Sequence, residues 1–308
     1  VVRAPASRHS EHNIGLVAVL VAVTAWGLTS VILKSIDMNA IAIAFWRFLV
    51  YAALLTAWMF ARGSGFSLRL LWKAAPGGLL LSGDVLLFFT AVKLTNVVNA
   101  TTIGALQPLV IAVFATRLFG ESISRREIGA ALVAIGGVIV VVTQSSGTPE
   151  WSGAGDLAAV GALFCWSGYF VVAKRITTTI SPLEFTTGTA WWVAIVALPV
   201  GLVFDQDMSP PPASEWPLLI LLLIVGGVFG HSLMNWGIPR VPLWLSSTLT
   251  LLIPVLASLA AWLLLDESLT AVQLVAMGVV VAALAVIVTA QSVPVPLQPA
   301  DCPTDAVT

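Results

Sequence analysis

Three ionisable side chains, Arg47, Asp84 and His231, lie well inside stretches of sequence that are otherwise apolar. A charge in hydrocarbon costs a few kcal/mol even on lenient insertion scales, so each marks a place where the chain does more than pack. Arg47 is about seven residues from the end of its stretch and Asp84 about eight from the end of the next, roughly 10 to 12 Å deep at 1.5 Å per residue. Opposite charges at one depth on consecutive helices are expected to pair. The alternatives are a guanidinium that receives a solute carboxylate, or a carboxylate that receives a solute ammonium. His231 has Asn235 one turn later and Gly226, Gly227 and Gly230 beside it. Its imidazole can carry a proton or contact a carboxylate, or it can satisfy a neighbouring helix.

Aromatic and amide side chains complete the set. Trp26 and Trp166 fall near the middle of their stretches, at corresponding places in the two halves of the chain. As flat apolar walls on either side of a central cavity they would suit an aromatic or amphipathic solute. Tyr169 follows Trp166 on nearly the same helical face and brings a hydroxyl, while Asn99 and Gln107, two turns apart, offer amides. Trp58, Trp72, Trp151, Trp216 and Trp262 lie near stretch ends, where tryptophan anchors a helix at the membrane surface. Pro108 and Pro254 sit mid-stretch, where each removes a backbone bond and is expected to kink the helix or act as a hinge.

Other chemistries find no support. Two of the three His belong to the N-terminal segment and Asp84 is the only deep acid, so no nucleophile and base converge and no catalytic residue is assigned. Cys165 and Cys302 form neither a CxxC pair nor a disulfide framework, which leaves no metal site and no cofactor. A Gly-Lys dipeptide is absent, so there is no P-loop and no ATP hydrolysis. A net charge of -1 gives no case for nucleic acid.

The elements that must hold these residues follow from composition. Of 308 residues 58% are apolar and 9% charged, and the mean hydropathy is +1.00. Water-soluble domains run near a quarter charged; the solvent for this chain is a lipid bilayer. Stretches of about 20 apolar residues predict an all-α polytopic protein with ten spans, at 14–33, 40–61, 74–92, 97–119, 127–143, 155–173, 183–204, 217–238, 242–265 and 270–290. The first is too long for a signal-peptide core and reads as a retained helix. Of the 14 Lys and Arg, all but Lys34, Lys93 and Arg47 fall in the termini and connectors of one side, which basic enrichment identifies as cytoplasmic, with both chain ends there.

The two halves resemble each other. At one fixed offset Leu106-Gln107-Pro108 falls on Leu252-Ile253-Pro254 and Gly120-Glu121-Ser122 on Asp266-Glu267-Ser268; at a similar one, Trp26 to Lys34 falls on Trp166 to Lys174. The organisation read from this is a tail over 1–13, a first five-helix repeat over 14–143, an outer linker over 144–154, a second repeat over 155–290 and a tail over 291–308. Five is odd, so the second copy enters the membrane from the opposite side and the repeats are inverted. Inverted repeats recur in secondary transporters, where two related halves expose a central site to each side in turn.

The W-[GS]-x6-K run ending the first helix of each repeat, the Arg47-Phe48 pair and the Pro-x12-Glu stretch resemble the drug/metabolite transporter superfamily. The resemblance is to its ten-helix bacterial exporters built from two EamA-type repeats, and it covers about 14 to 290. Within that group the chain is most similar to YddG-type exporters of aromatic amino acids. It departs from the repeat pattern at Thr187, which stands where a second Arg47 would align. The resemblance implies a bacterial inner-membrane exporter of a small solute, an aromatic amino acid by the nearest likeness. Threonine, homoserine or a cationic drug are alternatives within the superfamily, and a channel or an embedded enzyme are alternatives outside it. Trp26, Trp166, Tyr169, Asn99, Gln107, His231 and Asn235 are the expected solute contacts. Coupling to protons through Asp84 or His231 and uncoupled transport both stay open.

Overall fold

A computed structural model describes residues 5–94, 97–146 and 152–291. Ten of its helices are long and apolar enough to cross a membrane. We number them α1 (Pro5–Lys34), α2 (Ala40–Ala61), α3 (Leu68–Leu94), α4 (Val97–Gly104 and Gln107–Phe119), α5 (Arg125–Ser146), α6 (Ala154–Ile176), α7 (Pro182–Val203), α8 (Trp216–Arg240), α9 (Leu243–Leu249 and Leu252–Leu264) and α10 (Ala271–Gln291). Leu157, Val203 and Val275 are each about 70% exposed or more on the outside of the bundle, which in water would be untenable and in lipid is ordinary.

One boundary differs from expectation. Residues 5–13, read as a tail, are helical and continuous with the rest of α1. Much of the expected 144–154 linker and nearly all of the 291–308 tail lie outside the described residues.

Packing crosses between the halves. Helix α3 lies against α6 and α7 rather than against its sequence neighbour α2, α1 lies against α8 and α9, and α2 and α5 face their counterparts α7 and α10. Small residues permit the close approach. At Gly137 an added Cβ would meet Val280 at 2.6 Å.

The α-helical hydrogen-bond ladder is interrupted just before Pro108 and just before Pro254. Both α4 and α9 are broken, and each proline sits in the first turn of the second piece, where its missing N–H has no intrahelical role. Short turns bridge the gaps through Leu106 N to Ile103 O (3.0 Å), Thr250 N to Ser247 O (3.2 Å) and Leu251 N to Thr248 O (3.1 Å). The breaks meet, because the Thr250 hydroxyl donates to Gln107 Oε1 at 3.0 Å.

The connectors gather at two faces. At one, Asn39 Nδ2 donates to Asp207 O (2.7 Å), Trp46 Nε1 to Ser209 O (3.0 Å) and Lys34 Nζ to Glu267 Oε1 (2.5 Å). At the other, Lys174, Glu121 and the Val241–Trp244 segment come together.

Candidate functional site

A cavity of about 390 Å³ starts near the Lys34 face and ends midway through the bundle. Along α1 its wall runs from Leu33 through Ser30 and Thr29 to Trp26. Helices α2, α3, α4, α6, α8 and α9 contribute Ile43, Arg47, Phe48, Asp84, Thr101, Gln107, Trp166, His231 and Pro254, among others. The size lies within the range of small-molecule sites, and the lining is mostly apolar with a few convergent polar groups.

Trp26 and Trp166 form the floor. They touch, edge to face, with ring centroids 5.3 Å apart at 63°, so they are not the separated walls expected from their spacing. Helix α1 carries Trp26 onto Gly230, where an added Cβ would collide with the indole nitrogen, and α6 brings Trp166 to it from the other half. His231 packs against Trp26 at 5.3 Å and against Phe48 at 5.5 Å, and its Nδ1 has no hydrogen-bond partner among the described residues. Gln107 also faces the cavity; its oxygen is taken by Thr250 and its Nε2 is without a partner.

The expected ion pair is not formed. Among the described residues Arg47 and Asp84 have neither a salt bridge nor a hydrogen bond to each other. The cause is the packing of α3 on α6 and α7, which sets Asp84 on the wall near Cys165. Arg47 instead lies over the Phe48 ring at 5.0 Å and against Gly226, where an added Cβ would stand 2.6 Å from an Nη. Only glycine leaves that room.

Three expected contacts lie elsewhere. Tyr169 is fully buried below the floor, where its hydroxyl donates to Asn235 Oδ1 at 2.9 Å, and Asn235 Nδ2 donates to Thr186 Oγ1 at 2.9 Å. Their polar atoms satisfy one another and join α6, α7 and α8 rather than meeting a solute. Asn99 donates to Asp156 Oδ1 at 2.8 Å, because the first piece of α4 packs on the start of α6. Thr187 donates to Leu183 O at 2.8 Å within its own helix, so the second half supplies no matching cation.

Two features had no reading in advance. Leu223–Ser232 in the middle of α8 is wound as a π-helix, and Tyr51 donates to the Gly227 carbonyl at 2.8 Å within it. A side chain inserted into the backbone ladder beside a functional site is a usual setting for such a stretch. The glycines 226, 227 and 230 were its visible signal. The second is that repeated residues pair crosswise: Lys34 with Glu267 at 2.5 Å and Lys174 with Glu121 at 2.8 Å. The first pair is 66% and 45% exposed, the second 17% and 13%. Glu121 further accepts from Leu243 N (2.6 Å) and Trp244 N (3.0 Å), and Lys174 donates to Val241 O (2.8 Å). These bonds gather at the face away from the cavity.

The EamA-like transporter family matches the chain twice, over residues 13–143 and 153–289. The chain is 30% identical to the aromatic amino acid exporter YddG of Ancylobacter novellus over 65% of this chain and 70% of that protein. It is 28% identical to the uncharacterized transporter YyaM of Bacillus subtilis over 57% of this chain and 59% of YyaM's length. A solved crystal structure superposes with a TM-score of 0.74 at 24% identity, covering 92% of this chain and 98% of the other.

Proposed function

The chain belongs to the EamA-like transporter family, and from that premise we propose that it is a multi-pass carrier of a bacterial inner membrane that exports amino acids, aromatic ones preferentially, by alternating access. The observation that carries the reading is the crosswise charge pairing. Lys34 and Lys174 are repeat equivalents, as are Glu121 and Glu267, and each lysine holds the glutamate of the other half. The pairing suits two inverted units that close one face at a time. A part-buried polar cluster of six atoms at the Lys174 face and a wet pair at the Lys34 face correspond to a carrier shut on one side and accessible from the other. With both termini cytoplasmic, the accessible side is the exterior.

The aromatic preference is supported by the floor of Trp26 and Trp166 and by the name of the Ancylobacter relative. Aromatic pairs gain about 0.5–1.5 kcal/mol beyond area burial, so a ring laid on this floor is favoured over a short polar side chain. Purified protein in liposomes loaded with unlabelled L-phenylalanine is expected to accumulate labelled phenylalanine transiently by counterflow and to saturate. Absence of counterflow for every amino acid tested refutes the carrier. Labelling of Glu121→Cys and Glu267→Cys from the same side of the membrane refutes the inversion.

A further inference from the structure

We propose that Arg47 and Asp84 are the two halves of a clamp for the zwitterionic head of an α-amino acid, which holds the solute by its carboxylate and ammonium while its side chain reaches the tryptophan floor. This rests on the exporter reading above and specifies the chemistry its solute must have. Among the described residues Arg47 and Asp84 are the only Arg, Lys, Asp or Glu on the wall of the cavity. They bear opposite signs and, among the described residues, neither has an ion-pair partner. Arg47 Nε is enclosed with no acceptor. A buried polar group without a partner is costly, and a ligand that supplies the missing acceptor recovers that cost.

The two groups are carried on different mounts. The guanidinium is fixed by Phe48 below it and by the bare backbone of α8 at Gly226. Asp84 is fixed through α3, which rests on α6 and α7. Among the described residues neither group pairs with the other or with another side chain of the wall. The pair sums to zero. An organic cation would neutralise Asp84 and leave Arg47 bare, and an organic anion would do the reverse; a zwitterion satisfies both. Arginine's planar fork also matches a carboxylate in two parallel bonds, which lysine cannot reproduce. Because Thr187 replaces the equivalent arginine in the second half, the cavity has one such clamp and one orientation for its solute.

Four probes in counterflow on proteoliposomes of the full chain test this: L-phenylalanine, its amide (no carboxylate), 3-phenylpropionate (no ammonium) and L-threonine. Each charged hydrogen bond lost predicts about 10- to 100-fold weaker uptake of the amide and of phenylpropionate than of phenylalanine. In Arg47→Gln the preference over the amide is expected to vanish while the preference over phenylpropionate persists, and in Asp84→Asn the converse. Each readout is a ratio within one preparation, so a smaller folded fraction does not imitate it. Arg47→Lys, which keeps the charge and loses the fork, retains a reduced preference over the amide. Equal uptake of phenylalanine and both analogues by the unmodified protein overturns the clamp, as do variants that leave both ratios unchanged. Movement of threonine as well as phenylalanine leaves the clamp standing and removes the aromatic preference; movement of none of the four removes the exporter reading itself.

Discussion

Replacing Glu121 by Gln tests the mechanism where its energetics are largest. The carboxylate accepts from Lys174 Nζ at 2.8 Å and from two backbone N–H groups at 2.6 and 3.0 Å, in a setting where the paired side chains are 17% and 13% exposed. Removing one partner of a largely buried pair costs about 3–5 kcal/mol. Lys174 keeps Val241 O at 2.8 Å and the Phe119 ring at 5.6 Å, and glutamine still accepts one bond, so about 2 kcal/mol is the net expectation. The Lys34–Glu267 pair, 66% and 45% exposed, contributes no more than about 1 kcal/mol. Glu121→Gln therefore shifts the balance toward opening at the Lys174 face by about 30-fold, at 1.4 kcal/mol per decade. The assay is alkylation of Ala173→Cys, whose parent side chain is fully buried next to Lys174, by a membrane-impermeant maleimide in a background without Cys165 and Cys302. The rate is expected to rise about 30-fold in Glu121→Gln and not to rise in Glu267→Gln, whose pair lies at the opposite face. An unchanged rate in Glu121→Gln, or equal effects of the two substitutions, refutes the reasoning.

Trp26→Ala should lower phenylalanine counterflow by about 10-fold, since an aromatic contact of the order of 1 kcal/mol and its burial are lost; flux equal to the unmodified protein would exclude that floor. Tyr169→Phe leaves Asn235 Oδ1 buried without its donor, at a cost of about 1–3 kcal/mol, so the thermal midpoint in detergent should fall while the ratios among transported solutes stay the same. Gly230→Ala drives a methyl into the Trp26 indole at about 1–3 kcal/mol of overpacking; an elevated concentration for half-saturation by phenylalanine, with an unaltered elution volume, is the expected result.

The polarity of Arg47, Asp84 and His231 against their apolar flanks was enough to single out all three, because a charge in hydrocarbon demands an explanation wherever its helix is placed; the fold puts all three on the cavity wall. Spacing served less well for their partners. Depth along two consecutive helices suggested that Arg47 and Asp84 meet, yet α3 leans on α6 and α7, and the lateral neighbours of a helix are not encoded in its own periodicity. Tyr169 and Asn235 fell to the same limit. Their hydroxyl and amide suited a solute until the fold brought them to each other. The prolines pointed to a disturbed backbone ladder, and only the tertiary structure joins Gln107 to Thr250 across the two interruptions.

What the chain alone determined is whatever depends on the solvent and on local order: ten spans from hydropathy and length, a duplicated five-helix plan from matched Trp, Lys, Pro and Glu, and the residues too polar to be idle. The tertiary structure decided which of those residues share a space. It joined Trp26 to Trp166, separated Arg47 from Asp84, and tied Lys174 to Glu121 more deeply than Lys34 to Glu267. Those outcomes depend on contacts between helices far apart in sequence, where packing of small residues and close approach at Gly226 and Gly230 select one arrangement from many that satisfy the membrane equally well.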